Sequence, residues 1–246
     1  MKDNKTKDIV KKHYSDVASK SKRCCSCSGN PESNKISKEI GYSDDQINSF
    51  SDANLGLGCG NPTAIASIKE GDVVLDLGSG AGFDSFHASR KAGKSGKVIG
   101  VDMALEMVKK AEENAKKYEV TNVEFRFGDI ENLPVDSESV DIIISNCVIN
   151  LAPDKLKVFK EAYRVLKKTG KMFVSDIVLL KELTDEQRAD ERLIAGCVGG
   201  ALLRDDYLNI VKQAGFNVNI LSENKEISKT QYQGIKLESL SIELIK

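Results

Sequence analysis

The chain has 246 residues, which is enough for one α/β domain with additions and a full hydrophobic core. Its 36 Lys and Arg side chains almost balance 37 Asp and Glu side chains, which argues against a nucleic acid or an acidic membrane surface as partner. Asp3 and Asp8 interrupt the basic N-terminus and no apolar run follows, so we expect neither a signal peptide nor a membrane anchor, and a cytoplasmic location.

Residues 1–70 are predicted to form a helical and loop extension. Apolar residues at roughly helical spacing predict an amphipathic helix over residues 4–20. Residues 24–34 are rich in Ser, Gly and Asn and are predicted to be a loop that contains Cys24, Cys25 and Cys27. In the cytosol we expect these and the other three cysteines to be thiols that serve metal, metalloid or redox chemistry.

Two helix starts are predicted before the first strand. Ser43 and Gln46 are spaced as in a capping box and predict a short helix that ends at Phe50. Residues 55–63 contain too many glycines and prolines for a regular element, and Asn61 is predicted to cap a helix that starts at Pro62 and leads through Ile68. If this loop folds over the carboxyl edge of the sheet, Cys59 lies near a ligand pocket.

The stretch from Val73 to Ala92 predicts a ligand-binding strand, turn and helix. Four apolar residues with one acid predict a buried parallel strand, and the helical pattern starts at Phe83. Between them the chain has the pattern D-x-G-x-G-x-G from Asp76 to Gly82, and glycines there allow the backbone to approach a ligand closely. Dinucleotide-binding proteins prefer G-x-G-x-x-G, which makes NAD binding the less favoured alternative.

Acidic residues also follow the next two predicted strands. Strand 97–102 ends at Asp102, which precedes Met103, and a carboxylate there suits the two hydroxyl groups of a ribose. Strand 123–127 is followed by Asp129 and Ile130. Three strand ends with such residues predict a nucleotide-type ligand at the carboxyl edge of the sheet.

The remaining chain continues to alternate between strands and helices. Predicted helices cover residues 103–118, 153–168 (ended by Gly170), 184–194 and 204–214; predicted strands cover 140–146, 171–179, 218–221 and 235–244. Five strands that alternate with helices, followed by a closing β pair, predict an α/β fold with a mostly parallel seven-stranded sheet. We assign residues 71–246 to this domain.

Three isolated cysteines give the predicted site its chemical character. Cys59 precedes the first strand, Cys147 follows the fourth strand and Cys197 lies in a stretch of small residues after the fifth, so they could converge at the ligand crevice. Zinc normally needs four ligands, whereas three thiolates match trivalent arsenic and leave its lone pair available. That lone pair can attack an electrophilic carbon without a general base, which fits a chain with only two histidines, His13 and His87.

Several motifs resemble those of arsenite methyltransferases, a class I S-adenosylmethionine-dependent family. They are LGLGCGNP at 55–62, VLDLGSGAGFD at 74–84, GVDM at 100–103, SNCVINL at 145–151, SDIV at 175–178 and AGCVGGA at 195–201. The resemblance implies that trivalent arsenic binds to Cys59, Cys147 and Cys197. It also implies that the cofactor is surrounded by Asp76, Gly78, Ser79, Gly80, Asp102, Met103, Asp129, Ile130 and Asn146.

The resemblance further implies a redox role for the N-terminal thiols Cys24, Cys25 and Cys27. Methylation formally oxidises arsenic, and two thiols that close to a disulfide return two electrons, after which thioredoxin or glutathione reopens the disulfide. The sequence leaves two questions open: which of the three cysteines pairs with Cys59, and how many methyl groups are transferred.

Two other functions compete with arsenic methylation. The cysteines could be small buried hydrophobic residues in a class I methyltransferase that acts on a carbon, oxygen or nitrogen atom of a small molecule. Alternatively, the chain could bind a metalloid through its thiols without catalysis. Asp141 and Asp176 are assigned no chemistry.

Overall fold

A seven-stranded sheet forms the centre of the computed structural model, which describes residues 2–20, 30–225, 232 and 234–246. Within these residues the strand order is β3-β2-β1-β4-β5-β7-β6. The strands are β1 Val73–Leu77, β2 Lys97–Asp102, β3 Val123–Phe127, β4 Val140–Asn146, β5 Leu166–Leu179, β6 Asn217–Asn224 and β7 Leu237–Ile245. Strands β1 to β5 pair in parallel, and β7 is antiparallel to both β5 and β6. The predicted fold class is confirmed.

Helices cover both faces of the sheet and the edge formed by the carboxyl ends of its parallel strands. The described helices are α1 Lys2–Lys20, α2 Pro31–Glu39, α3 Asp44–Ser49, α4 Pro62–Ile65, α5 Phe83–Ala92, α6 Leu105–Lys117, α7 Lys155–Val165, α8 Asp185–Ala189, α9 Glu191–Ala195 and α10 Arg204–Gln213. A short 3-10 helix spans Ile149–Leu151. Apolar residues of α4 and α5 pack on one face of the sheet, and those of α7 and α10 pack on the other. None of the described helices combines the length and apolar composition that a membrane crossing requires.

Local capping patterns determine where helices α3 and α4 begin. Ser43 and Gln46 form the predicted capping box at the start of α3. The Asn61 side chain accepts from the Ala64 N–H at the start of α4, as expected, but this helix ends at Ile65 and does not reach Ile68. Of the predicted irregular stretch 55–63, residues 55–61 have no regular element, and residues 62 and 63 open α4 as the cap at Asn61 predicts.

The prediction that a helix extends to Lys168 and is ended by Gly170 is wrong. Helix α7 ends at Val165, and β5 begins at Leu166, which pairs with Val140. The carbonyl of Val165 accepts from the N–H of Ser139, which lies in the loop before β4. This carbonyl is therefore not available to a further helical turn. The pairing register of β5 with β4 shifts between the pair Val140–Leu166 and the pair Ile142–Lys171. Residues 167–170 form this irregularity, so Gly170 lies within the strand.

Two further boundaries differ from the predictions. Residues 31–34 are not loop, because Asn30 caps α2 and Pro31 occupies its first turn. The predicted helix over 184–194 is divided into α8 and α9, since Asp190 adopts an extended conformation and caps the second helix.

The N-terminal extension packs directly against the sheet domain. Helix α1 contacts α6 and α9, so the extension covers the edge where the parallel strands end. The division of the chain at residues 70 and 71 stays a prediction.

Candidate active site

A single cavity lies at the carboxyl ends of the parallel strands. All nine residues predicted to surround the cofactor line it: Asp76, Gly78, Ser79, Gly80, Asp102, Met103, Asp129, Ile130 and Asn146. They come from the ends of β1, β2 and β4 and from the turn after β3. The topology thus brings together residues that are far apart in the sequence.

The glycine turn after β1 is shaped by close contacts and unusual backbone angles. Gly78, Gly80 and Gly82 all have positive φ angles of 66°, 52° and 94°. A Cβ atom at Gly78 would collide with the Val148 side chain, whereas one at Gly80 would meet nothing within 4 Å. The Ser79 hydroxyl is buried and has no hydrogen-bond partner among the described residues. The turn therefore offers an open backbone surface and a spare hydroxyl to a ligand.

Three buried carboxylates border this cavity. Asp102 accepts from the Gly80 N–H at 2.9 Å and from the Ala104 N–H at 2.8 Å, and burial raises its pKa despite these bonds. Burial also raises the pKa of Asp76 well above its usual value, and the charge of Asp84 adds to that shift. Burial likewise raises the pKa of Asp84. A positively charged ligand such as a sulfonium would oppose this shift and favour the ionised carboxylates.

Asn146 ties the glycine-rich loop to the end of β4. Its Oδ1 accepts from the N–H groups of Cys59 at 3.0 Å and Gly60 at 3.3 Å. Its Nδ2 lies within donating distance of the Tyr42 hydroxyl at 3.1 Å and of Asp84 Oδ2 at 3.0 Å. This network fixes Cys59 relative to the strand end and therefore relative to the cavity.

The predicted convergence of Cys59, Cys147 and Cys197 occurs in the structure. All three are buried in one cluster, and the sulfur atoms of Cys59 and Cys147 lie within 4.8 Å of one another. The Cys197 thiol also donates to the Cys147 carbonyl at 2.7 Å, and the Cys59 thiol donates to the Ser175 carbonyl at 3.3 Å. Cys147 lines the cavity as well, so the thiol cluster and the cavity share a boundary.

Interactions within the cluster disfavour ionised sulfur. The hydrogen bond with Cys197 lowers the pKa of Cys147, but contact with Cys59 and burial outweigh it and raise that pKa well above its usual value. The pKa of Cys197 is also raised well above its usual value, by the hydrogen bond with Cys147 and by burial. The two groups are therefore protonated thiols at neutral pH until an electrophile displaces their protons.

Two of the cysteines have strained backbones. Cys147 and Cys197 have φ angles of 60° and 65°, in the left-handed region that L-residues other than Asn and Asp rarely adopt. Such a conformation costs on the order of 1–3 kcal/mol and occurs most often at functional sites. Packing alone does not require a strained cysteine, which favours a functional role for both thiols over the packing alternative.

Comparison with known proteins places this architecture in a family. Residues 68–215 match the family model described as a methyltransferase domain. The chain belongs to this methyltransferase family. A methyltransferase domain rules against NAD as the ligand of the glycine turn. Individual relatives show which methyltransferases the motifs resemble.

Those relatives are named arsenite methyltransferases. The protein from Halobacterium salinarum is 45% identical over 224 residues, which cover 86% of this chain and 57% of the relative. The human protein is 39% identical over 188 residues, which cover 70% of this chain and 50% of the relative. The chain thus spans about half the length of the curated relatives it matches. The resemblance inferred from the motifs is confirmed.

A solved structure shows the same likeness. The crystal structure of an arsenic(III) S-adenosylmethionine methyltransferase from Chlamydomonas reinhardtii aligns with a TM-score of 0.69 and 31% sequence identity. The alignment covers 88% of this chain and 74% of that one. Fold and sequence therefore indicate the same family.

Sequence reasoning missed several residues of this methyltransferase site. Tyr14 of α1 lies 3.9 Å from Cys197 Sγ, and Asp176 of β5 lies beside the thiols. Tyr42 donates to Asp84 Oδ1 at 2.6 Å. Asp84 and Asp176 belong to quoted motifs and could have been considered, whereas no local pattern marks the two tyrosines.

Cys24, Cys25 and Cys27, the predicted redox thiols, lie outside the described residues. Their role stays a prediction.

Proposed function

We propose that the chain transfers a methyl group from S-adenosylmethionine to trivalent arsenic held by Cys59, Cys147 and Cys197, as a step of arsenic detoxification. The observation that carries this proposal is the meeting of three buried thiols at the boundary of the cavity lined by the predicted cofactor residues. The relatives named arsenite methyltransferases support the same substrate.

Arsenic binding requires proton transfer but no net gain or loss of protons. Each thiol forms a sulfur–arsenic bond and gives its proton to a departing hydroxide of arsenite, so three thiols release three waters. The raised thiol pKa values are compatible with this exchange, because a free thiolate does not have to accumulate. Burial then keeps water from reversing the exchange.

The predicted cofactor residues orient the methyl donor. S-adenosylmethionine, when bound, supplies the sulfonium methyl group. The open backbone at Gly80 and the Ser79 hydroxyl fit its amino-acid part, and the Asp102 carboxylate fits the ribose. Holding the methyl group in line with the arsenic lone pair contributes up to about 7–11 kcal/mol in favourable cases.

The electron balance of the transfer requires a thiol reductant. The arsenic lone pair forms the arsenic–carbon bond while the sulfur–carbon bond breaks, so arsenic passes from the trivalent to the pentavalent state. A further thiol that attacks a bound sulfur forms a disulfide and returns the electron pair to arsenic. We assign this role to one of Cys24, Cys25 and Cys27, with thioredoxin or glutathione as the cytoplasmic reductant.

The test uses the purified chain with arsenite, methyl-labelled S-adenosylmethionine and a thiol reductant. Wild-type protein is expected to release labelled methylarsenic. Cys147→Ser and Cys197→Ser are expected to reduce this by at least about 100-fold, because a two-coordinate arsenic is poorly positioned. Both variants should bind the cofactor within about twofold of wild type, since the cofactor motif is unchanged.

The outcomes separate the competing functions. Turnover unchanged in either serine variant, or methyl transfer to a carbon, oxygen or nitrogen acceptor that resists thiol alkylation, would contradict the three-thiol site. Arsenite and cofactor binding without transfer under several reductants would leave a metalloid-binding protein. For the relay, single Ser variants of Cys24, Cys25 and Cys27 should keep the first turnover and lose later ones at the critical position.

A further inference from the structure

Asp176 brings a carboxylate to the thiol cluster. It lies on β5 with a relative exposure of 1%. One of its carboxylate oxygens and the sulfur atoms of Cys59 and Cys147 all lie within 4.8 Å of one another. An arsenic atom bound to these sulfurs would therefore lie close to the carboxylate.

Three neutral donors fix the orientation of this carboxylate. Oδ1 accepts from Asn150 Nδ2 at 2.8 Å and from the Ile177 N–H at 3.0 Å, and Oδ2 accepts from the Tyr207 hydroxyl at 3.1 Å. A carboxylate held by three hydrogen bonds is preorganised, since it does not have to reorient as charge develops beside it.

The buried ammonium group of Lys155 is bound to backbone carbonyls. Lys155 Nζ donates to the backbone carbonyl of Ala152 at 3.0 Å, although its positive charge is felt at the carboxylate. Burial raises the pKa of Asp176 to about 7, while the hydrogen bonds and Lys155 partly oppose that shift. A buried anion with incomplete compensation gains free energy when a positive charge forms nearby.

The proposed methyl transfer creates such a charge. Arsenic with three thiolate ligands is neutral, and the methyl donor carries one positive charge on sulfur. When the arsenic–carbon bond forms and the sulfur–carbon bond breaks, the cofactor sulfur becomes neutral and arsenic becomes a pentavalent cation. One positive charge thus moves from the cofactor cavity to the thiol cluster during the reaction.

We propose that the Asp176 carboxylate stabilises the positive charge that develops on arsenic during methyl transfer. The inference rests on the proposed function, because it concerns the same arsenic site. It assigns to Asp176 a charge-stabilising role that differs from ligand binding: the carboxylate acts more strongly on the transition state than on the neutral thiol-bound substrate.

The matched variants are Asp176→Asn and Asp141→Asn. The asparagine oxygen at 176 can still accept from Asn150 and Ile177, so shape and orientation are retained while the charge is removed. Asp141 provides the control on neighbouring β4: its carboxylate accepts from the Val73 N–H at 3.0 Å, and this residue lies at the opposite end of the strand from Cys147.

The experiment measures single-turnover methyl transfer at mildly alkaline pH with protein preloaded with arsenite, together with the dissociation constants of arsenite and cofactor. Asp176→Asn is expected to slow transfer by about 100- to 1,000-fold, the usual effect of removing one preorganised group. Both dissociation constants should stay within about threefold of wild type, and Asp141→Asn should retain the wild-type rate. Asp176→Glu, which restores the charge, should recover part of the rate.

An unchanged transfer rate in Asp176→Asn would overturn the inference. So would a loss of arsenite affinity that accounts for the whole rate loss, because Asp176 would then act on binding. If Asp176→Asn does not fold, Asp176→Ser provides a smaller neutral replacement and must show the same loss. If wild-type protein binds arsenite but transfers no methyl group, the proposed function itself fails, and this result is distinct from a defect confined to the variants.

Discussion

At the scale of single residues, His87 lies in an aromatic cluster behind the cofactor cavity. Its ring centroid is 4.8 Å from that of Phe83 and 5.0 Å from that of Phe50. Burial lowers its pKa to about 4, and the positive charges of Arg90 and Lys91 contribute to that shift, while a backbone hydrogen bond at Gln46 opposes it. These contacts make His87 a packing residue of the aromatic cluster.

His87 is predicted to make folding stability depend on pH. Between pH 6.5 and about 4 the unfolded imidazole binds a proton that the folded one does not, so stability falls as pH decreases through this window. The full contribution of the shift is about 3 kcal/mol, on the basis of 1.36 kcal/mol per pKa unit. The difference in unfolding free energy between wild type and His87→Phe, measured in urea, should therefore decrease by about 2 kcal/mol from pH 7.5 to pH 5.

The control is His13→Phe, because His13 is exposed on α1. That variant keeps His87, so a change in pH dependence seen in His87→Phe and not in His13→Phe is assigned to the buried imidazole. A His87→Phe protein with the same dependence as wild type would show that the buried imidazole is not the group responsible. The unfolding free energies of variant and wild type are subtracted at each pH, because the buried carboxylates titrate in both proteins.

Sequence information was sufficient to place those candidate residues that lie at the carboxyl ends of strands. Asp102 and Asn146 end predicted strands and Asp76 lies one residue before the end of β1, and parallel strands bring their carboxyl ends to one edge. It was insufficient for Tyr14 and Asp176, whose proximity to the thiols depends on how helix α1 and strand β5 are placed in three dimensions. The left-handed backbones of Cys147 and Cys197 also have no local sequence signal.

At the scale of elements, helix α1 contacts both parts of the site. Lys7 forms ion pairs with Asp129 at 2.7 Å and Glu131 at 2.6 Å beside the cofactor cavity. Two turns later Tyr14 contacts the thiol cluster. The helix thus bridges the cavity and the thiol cluster.

Removing the Lys7 ion pairs is predicted to loosen α1. A partly buried pair contributes about 1 kcal/mol, so Lys7→Gln should increase the rate of local opening about fivefold. The measurement is amide hydrogen exchange over peptides from residues 5–20. Lys12→Gln, an exposed position on the same helix, is the control and should leave exchange unchanged. Equal exchange in wild type and Lys7→Gln would mean that apolar packing holds the helix without these pairs.

Element boundaries were predictable where capping patterns are local and unpredictable where pairing is long-range. The capping box of α3 is contained in four consecutive residues, and the structure has it as predicted. The junction of α7 and β5 is different, because Leu166 is drawn into a strand by Val140, which lies 26 residues earlier. Tertiary pairing there overrides a helical pattern that continued through the lysines.

At the scale of the whole molecule, the sheet separates two groups of functional residues. The residues predicted to bind the cofactor's amino acid and ribose follow β1 and β2, and the thiols lie around the ends of β4 and β5. Cys147 is the point at which the two groups meet, because it belongs to both the cavity and the cluster. Strand order therefore sets the distance between the proposed donor and acceptor sites.

This separation predicts that each ligand stabilises the protein through its own half of the site. S-adenosylhomocysteine at about 100 times its dissociation constant should raise the unfolding free energy by about 2.7 kcal/mol in wild type, measured by urea denaturation. Cys197→Ser should keep this increase but lose the stabilisation by arsenite, since Cys197 does not line the cofactor cavity. Asp102→Ala should show the reverse, because its carboxylate accepts from the Gly80 N–H and so orients the turn that lines the cofactor cavity. If Cys197→Ser abolished stabilisation by S-adenosylhomocysteine as fully as Asp102→Ala does, donor and acceptor would share one binding unit, and the division of roles along the sheet edge would be wrong.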